Sequence, residues 1–424
     1  MNSKNPKNLR FNFTVNVIDG GFFGGALGFA SFMTIIPLFV SNLTDSAILI
    51  GLIPAIHAVG WQLPQLFTAP RVSRLSLYKP MALVLTVVER LPFIGLAIVA
   101  WFSPQLGVKW TLILTFFLLI WFGFGGGFTA TAWQSLIAKV IPARLHGTFF
   151  GVQSAAANLI AGICAVLAGI VLVTYDYPLD FTLCFILASI SVAISFVFFA
   201  MTKEERHTTP RSSLDDGQNF WQNLRKILRK ERNFRWYLVS RMLTQFATMG
   251  FVFYTVYAVR VFGISEGLIG ILTGLLMFTE VAMNPIMGWL GDRRGYLITL
   301  QIGMVATIAS SFLALGAQGV AWFFPMFILA GVASVAAWTI PLSMTLEFGS
   351  ESERPSYIGL ANTLIAPSTF LAPILAGLLI DKVNYQWTFL ASAIVGIATL
   401  LVLIIGVSDP RKKLDSQVVT STSE

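Results

Sequence analysis

Six ionisable side chains interrupt long apolar runs: Asp19, His57, Glu89, Arg90, Arg241 and Glu280. An acid or an imidazole in such a setting can take up and release a proton, and an arginine can hold a carboxylate or another anion, so each is a default candidate for function. If Asn12 is set against Asn233, Asp19 and Arg241 follow seven and eight residues later. Both then lie ~10–12 Å along their helices, at 1.5 Å per residue. They are candidates to pair in one state and separate in another, or each can point to water near its helix end. Glu89 and Arg90 are neighbours and would point ~100° apart on a helix, so they cannot share one partner. Glu89 can carry a proton, or each can pair with an adjacent helix. His57 lies at a similar depth and can meet Glu89 or simply pack. Glu280 can carry a proton or brace a turn through Arg293 or Arg354. The three histidines (57, 146 and 207) lie far apart, and no phosphate loop, metal-ligand spacing or nucleophile motif accompanies them. No enzyme activity and no cofactor are expected.

A second cluster is the stretch Asn284-Pro-Ile-Met-Gly-Trp-Leu-Gly-Asp-Arg-Arg-Gly295. Gly288 and Gly291 allow a helix end to approach a neighbour closely, and Gly295 allows a reversal with φ > 0. Asp292 can accept hydrogen bonds from the free N–H groups at a nearby helix N-terminus, where negative charge is favoured. Arg293 and Arg294 can hold the turn at a membrane face and pair with acids.

The elements that must position these residues follow from composition. The chain of 424 residues is 56% hydrophobic and 11% charged, with a mean hydropathy of +0.76. Soluble domains carry roughly 25% charged residues, so this chain needs lipid as solvent. Twelve apolar runs are long enough to cross a bilayer, at about 12–40, 46–69, 79–102, 110–139, 147–174, 180–201, 234–260, 266–290, 296–317, 321–346, 357–381 and 386–407. All must be helices, because lipid cannot satisfy backbone polar groups. The two cysteines, Cys164 and Cys184, lie inside apolar runs and form no disulfide framework. The polar, basic N-terminus precedes no cleavage site, so no removed signal peptide is expected.

Of the 28 Lys and Arg residues, Lys109, Arg260 and Lys382 fall in loops on one side, Arg90 and Arg241 fall within spans, and the rest fall in segments on the other side. That asymmetry puts both termini in the cytoplasm and the spans in a plasma (inner) membrane. Because the basic residues line short loops rather than one face, the net charge of +8 does not point to nucleic acid.

The chain also repeats. At an offset of 208, Gly151 falls on Gly359, Ala168-Gly169 on Ala376-Gly377, and Arg144-Leu-His-Gly147 opposite Ser352-Glu-Arg-Pro355; at an offset of 221, Pro64 falls on Pro285. This gives a cytoplasmic N-terminus (1–11), a six-helix bundle (12–201), a linker (202–233), a second six-helix bundle (234–407) and a disordered tail (408–424). In the linker the part from Lys203 to Gly217 reads as loop. Beyond it Phe220, Leu224, Ile227 and Leu228 recur at helical spacing among Arg225, Lys226, Arg229 and Lys230. Such a helix can lie on an anionic leaflet or pack against the ends of the bundle. Gly20, Gly24 and Gly28 in span one, and Ala157, Ala161 and Ala165 in span five, form small-residue stripes suited to close helix contact.

The turn at Gly288, Leu290, Gly291, Asp292, Arg293 and Gly295 resembles the Gly-x-Leu-x-Asp-Arg-x-Gly signature of the major facilitator superfamily, and the parallel repeat fits the same family. The resemblance covers about residues 10–408. It implies an all-α membrane protein with twelve transmembrane helices in two pseudo-symmetric six-helix bundles. The turn would act as a latch between the halves, with Arg71, Arg74, Arg144 and Arg354 at corresponding places. The first-half counterpart, Thr68-Ala-Pro-Arg-Val-Ser-Arg74, departs from the pattern: Pro70 stands in the place of Gly291 and Arg71 in that of Asp292. Span five also lacks an antiporter-type Gly-Pro motif, so the subfamily stays open. In that family spans one, four, seven and ten line a central cavity with two, five, eight and eleven alongside. This assigns Asn16, Asp19, Gln134, Asn158, Arg241, Gln245, Trp338 and Asn362 to the cavity, and leaves Asp19, Glu89, Glu280 and His57 as candidates for proton coupling. The resemblance implies a secondary transporter of a small organic solute working by alternating access. Proton-coupled efflux is preferred, and proton-coupled uptake of a sugar or similar nutrient is the alternative. A non-transporting sensor or lipid-handling protein on the same fold is the reading of another class. The expected partners are a small-molecule substrate, membrane lipid and a proton, with no nucleic acid, and the chain is expected to act as a monomer.

Overall fold

The computed structural model of the chain describes residues 6–44, 46–205, 217–350 and 353–410. The loop read at 206–216 and the disorder read for the tail from residue 411 lie outside the described residues. Among the described residues every element is helical. Ten segments are long and apolar enough to cross a bilayer. Pro6–Phe29 is span one, and Ala47–Gln62 together with Gln65–Val72 is span two, which completes the twelve. Large apolar side chains such as Phe117 and Val173 stay exposed on the outer surface, as lipid-facing helices require.

Several spans are not single rods. Span two breaks at Leu63-Pro64, where proline removes a backbone donor. Span four (Ser103–Val140) is interrupted at Gly107, whose φ of 72° only glycine adopts easily. Span seven runs from Arg232 to Ala247, resumes as Tyr254–Phe262 and ends on Gly263. Span ten is Phe323–Trp338 followed by Ile340–Thr345, and span eleven is Arg354–Thr363 followed by Ala366–Lys382. In span eleven the break falls just before Pro367, in the first turn of the second piece, where its missing N–H costs nothing. Pro373 sits further along, inside that helix. The unbroken spans are three (Lys79–Trp101), five (His146–Thr174), six (Leu179–Ala200), eight (Glu266–Arg294) and nine (Tyr296–Leu315); twelve (Tyr385–Leu401) ends in a π turn. The linker helix is Gly217–Lys230.

The contacts divide the chain into two units. The first holds Met1–Pro142, Gln153–Arg211 and Glu351–Thr363; the second holds Ala143–Val152, Ser212–Ser350 and Leu364–Glu424. In the first, span one packs on six, three on four and on six, and two on four; the first piece of span eleven packs on the second piece of span two. The second unit repeats the plan: seven packs on twelve, nine on ten and on twelve, and eight on ten. The short turn Ala143–Leu145, which leads into span five, packs on span eight.

Residues matched by the repeat do matched work. Asn12 Nδ2 donates to the Lys203 carbonyl at 2.8 Å and its Oδ1 accepts from Lys203 N–H at 2.8 Å. Asn233 makes the same two bonds with Ser408, at 2.8 and 2.7 Å. Each bundle thus ties its first helix to the end of its sixth. Carboxylates one residue further on are matched too. Both Glu204 oxygens accept from the N–H groups that start span three, Tyr78 at 2.9 Å and Lys79 at 2.8 Å, while Lys139 Nζ donates to Glu204 at 2.8 Å. In the second unit Asp409 lies against Gly295, at the start of span nine. Within the first unit the small-residue stripes meet each other. A β-carbon on Gly24 or Gly28 would fall on the backbone of Ala157 or Ala161, so spans one and five approach at backbone distance.

Candidate functional site

The turn motif lies at the end of span eight, in the second unit. Span five begins at His146, and its first N–H groups have no partner within their own helix. Asp292 supplies one. Gly147 N–H donates to Asp292 Oδ1 at 2.8 Å and Thr148 N–H to Oδ2 at 2.6 Å. Tyr296 OH donates to the same Oδ1 at 2.6 Å, and its oxygen accepts from Gly147 N–H at 2.8 Å. Asp292 therefore does for a different helix what an N-cap residue does for its own, with a full negative charge at the positive end of the helix dipole. The glycines allow it. A β-carbon on Gly288 would fall on the carbonyl of Gly147, one on Gly147 on the carbonyl of Gly288, and one on Gly151 on the carbonyl of Asn284. Gly291 packs on the Tyr296 ring, and Gly295 reverses the chain at a φ of 94°. Arg293 is exposed and stacks on Trp289 at 4.4 Å. Arg294 and Arg144 are exposed, and Arg354 is half-buried at the start of span eleven.

The counterpart contact in the first unit uses different chemistry. Asn362 Nδ2 donates to Gln65 Oε1 at 2.6 Å, Leu66 N–H donates to Thr363 Oγ1 at 3.2 Å, and Thr363 Oγ1 donates to the carbonyl of Gln62 at 3.1 Å. Gly359, the repeat partner of Gly151, sits against the backbone of Gln65 and Leu66, as Gly151 sits against Asn284 and Pro285. The first unit makes its contact through neutral amides and a hydroxyl nearer the middle of the helices, while the place that matches Asp292 is held by Arg71. Arg71 and Arg74 are both exposed.

Asp19, a candidate to pair with Arg241 in one state, is bound within its own unit: Arg90 Nη2 donates to Asp19 Oδ1 at 3.1 Å, and Ser195 Oγ donates to the same oxygen at 2.5 Å. Arg90 also donates to Ser195 Oγ at 2.9 Å and to the Val192 carbonyl at 3.0 Å, and its guanidinium lies over the rings of Phe23 and Phe196. This cluster joins spans one, three and six. Ser195 was missed from sequence, although Ser191 and Ser195 stand four apart in span six, and Ser191 Oγ donates to the Phe22 carbonyl at 2.6 Å. Glu89 turns instead toward span four. It packs on Gly125 and Gly126, and the Thr129 hydroxyl stands within hydrogen-bonding reach. The suggested meeting of His57 with Glu89 is replaced by an aromatic cluster: His57 stacks with Phe32 at 4.3 Å and with Phe122 at 5.6 Å. Such stacking contributes about 0.5–1.5 kcal/mol beyond burial.

Arg241 is buried in the second unit, with its guanidinium 6.0 Å from the Tyr237 ring. It borders a narrow internal cavity of about 20 Å³ shared with Ser240, Thr244, Gln245 and Thr307, room for a single water molecule. Gln245 also accepts from Thr369 at 3.4 Å. Glu280, in span eight, has the Ser334 hydroxyl of span ten within hydrogen-bonding reach, and its carbonyl accepts from Asn284 Nδ2 at 2.8 Å.

Of the other cavity candidates, Asn16 is fully buried and donates to the Asn12 carbonyl and Thr202 Oγ1, at 2.8 and 3.0 Å. It closes the first bundle. Gln134 is fully buried, Asn158 half-buried and Trp338 exposed.

Two repeated six-helix bundles, built of apolar spans with a few enclosed charges, define a polytopic membrane protein of the transporter class. The family model of the Major Facilitator Superfamily matches residues 20–261 and 255–422. The chain belongs to that family. Among curated proteins it is 31% identical over 131 residues to a probable vesicular acetylcholine transporter of Danio rerio, 31% of this chain and 26% of that one. It is 29% identical over 137 residues to the vesicular acetylcholine transporter of Homo sapiens (32% and 26%), and 26% identical over 89 residues to an MFS-type efflux pump of Arthroderma benhamiae (21% and 15%). These matches span about a quarter of the length of the vesicular relatives. Among solved structures, the transporter FucP in its outward conformation aligns with a TM-score of 0.76 at 13% identity, covering 95% of this chain and all of that one. A human organic anion transporter aligns at 0.70 and 12%, covering 94% and 100%. At such identities the likeness is one of fold.

Proposed function

We propose that this chain is a secondary active transporter that moves a small organic solute by alternating access, driven by protons and acting in export. The observation that carries the reading is the Asp292 carboxylate seated on the N–H groups of Gly147 and Thr148. It is a polar, reversible bond set at a helix end, of the kind a latch needs. Helix ends held by hydrogen bonds can release and re-form at a cost of a few kcal/mol, whereas an apolar seal of many side chains cannot. Gly288, Gly291, Asp292, Arg293, Arg294 and Gly295 form the latch in this reading, with Arg71, Arg74, Arg144 and Arg354 beside the corresponding turns.

Glu280 is the proposed proton carrier, since it is an acid within span eight, one turn before Asn284-Pro285, with the Ser334 hydroxyl of span ten within hydrogen-bonding reach. Asp19 is the weaker candidate, because an arginine already neutralises it. Export is supported by the similarity to proteins named as vesicular acetylcholine transporters and efflux pumps. The few intramembrane charges favour a neutral, amphipathic or singly charged solute over a phosphate ester, which would need clustered basic groups. The basic loops favour a plasma (inner) membrane with both ends in the cytoplasm.

The test is flux in proteoliposomes across an imposed proton gradient. Wild type is expected to drive solute against its gradient, and Glu280→Gln to retain solute exchange while losing proton-driven accumulation. No flux for any organic solute class in a folded preparation returns the chain to the sensor or lipid-handling reading. Uptake rather than export under an inward proton gradient reverses the direction.

A further inference from the structure

One charged surface has no part in this transport reading. From Arg225 to Arg235 the chain carries Arg225, Lys226, Arg229, Lys230, Arg232 and Arg235 against a single acid, Glu231. All six basic side chains are exposed. On the linker helix, Arg225, Lys226, Arg229 and Lys230 recur at the spacing of one helical face, while Leu224 is 5% exposed and Ile227 and Leu228 are half-buried. The apolar side is therefore turned inward and the basic side outward.

The depth of this surface is set by the next helix. Span seven begins at Arg232, and its exposed residues Arg232, Arg235, Trp236 and Val239 stand three, four and seven apart, one stripe on one face. Along that stripe the chemistry passes from charge to indole to aliphatic within ~10 Å, the order met by a helix passing from water through lipid headgroups into hydrocarbon. Trp236 is held there by its packing on Gly406. The basic face of the linker helix ends two residues before this stripe, well within a Debye length of the headgroup layer.

We propose that Arg225–Arg235 forms a binding surface for the phosphate headgroups of anionic phospholipids in the leaflet it faces. The charge match favours this occupant: six cations and one anion, four of the cations being guanidinium groups at 225, 229, 232 and 235 that can take phosphate oxygens in pairs.

The test uses the full chain in bilayers of phosphatidylcholine containing trace spin-labelled phosphatidylglycerol or phosphatidylcholine. Electron paramagnetic resonance then gives the relative association constant of the two lipids. Wild type is expected to prefer phosphatidylglycerol several-fold, and 0.5 M salt to remove most of that preference. Substituting Arg225, Lys226, Arg229 and Lys230 together by Gln is expected to bring it near one, with the melting temperature in pure phosphatidylcholine unchanged. Arg225→Lys with Arg229→Lys keeps the charge and is expected to keep the preference. If the fourfold variant does not fold, Lys226→Gln and Lys230→Gln singly carry the test, each lowering the preference part-way. A folded fourfold variant with the wild-type preference, single variants with no loss, or a wild type that does not distinguish the two lipids, overturns the proposal. None of these outcomes depends on whether the protein transports a solute.

Discussion

Replacing Asp292 by Asn keeps the shape of the side chain and removes its charge. The amide oxygen can still accept from one of the two N–H groups that Asp292 now serves, Gly147 or Thr148. The NH₂ group then faces the other donor, which loses the carboxylate; Gly147 N–H keeps the Tyr296 hydroxyl, whereas Thr148 N–H is left with the amide alone. A hydrogen bond to a charged group is worth about 1.5–3 kcal/mol, and the charge at a helix N-terminus adds about 0.3–1 kcal/mol. Together the docked state of span five loses roughly 2–4 kcal/mol, a factor of about 30 to 700 in its equilibrium against the undocked state. Hydrogen exchange read by mass spectrometry measures this directly. In Asp292→Asn, the amides of Gly147 and Thr148 are expected to exchange at least about 30-fold faster than in wild type, while peptides from span three, closed by its own carboxylate cap at Glu204, keep their rates. Unchanged protection at Gly147 and Thr148 refutes the reasoning, because Asp292 would then not hold the helix end.

The remaining predictions concern packing and buried charge. Gly288→Ala is expected to lower the melting temperature by an amount corresponding to about 1–3 kcal/mol of overpacking, since the new methyl meets the Gly147 carbonyl; Gly274→Ala, with open space around it, is expected to be neutral or slightly stabilising. Asp19→Asn and Arg90→Gln are each expected to destabilise by about 3–5 kcal/mol, the cost of leaving one buried charge unpaired, and the double change to recover part of the loss in thermal melts. Exchanging the charges of Asp19 and Arg241 is expected to be no better than either single change. Glu204→Gln is expected to lower the melting temperature through the loss of the Lys139 ion pair, which a parallel Lys139→Met change in the same background should partly restore.

The membrane class and the doubled plan were legible because they rest on composition and period, which every residue reports. The offset that aligned Asn12 with Asn233 marks two residues that make the same pair of bonds. The acceptor role of Asp292 follows from charge and the spare donors at any helix start, although nothing local says that the helix is span five. The partner of Asp19 was not legible. Arg90 stands 71 residues away, and the sequence does not say which two helices become neighbours. The break in span eleven was marked by Pro367, but those in spans two, seven and ten were hidden for a different reason. Hydropathy measures how side chains partition, and it is indifferent to where a backbone hydrogen bond is missing. His57 stayed open between a titratable ring and a packing ring because both are the same residue.

The amide ties of Asn12 and Asn233 bear on how the protein is made. Asn12 must wait for Lys203, synthesised 191 residues later, and Asn233 for Ser408, synthesised 175 residues later. Neither bundle can be fastened until its last helix leaves the ribosome. With domains completed in the order of synthesis, the first closes while the second is still being translated, and the newborn chain carries one finished bundle beside a growing one.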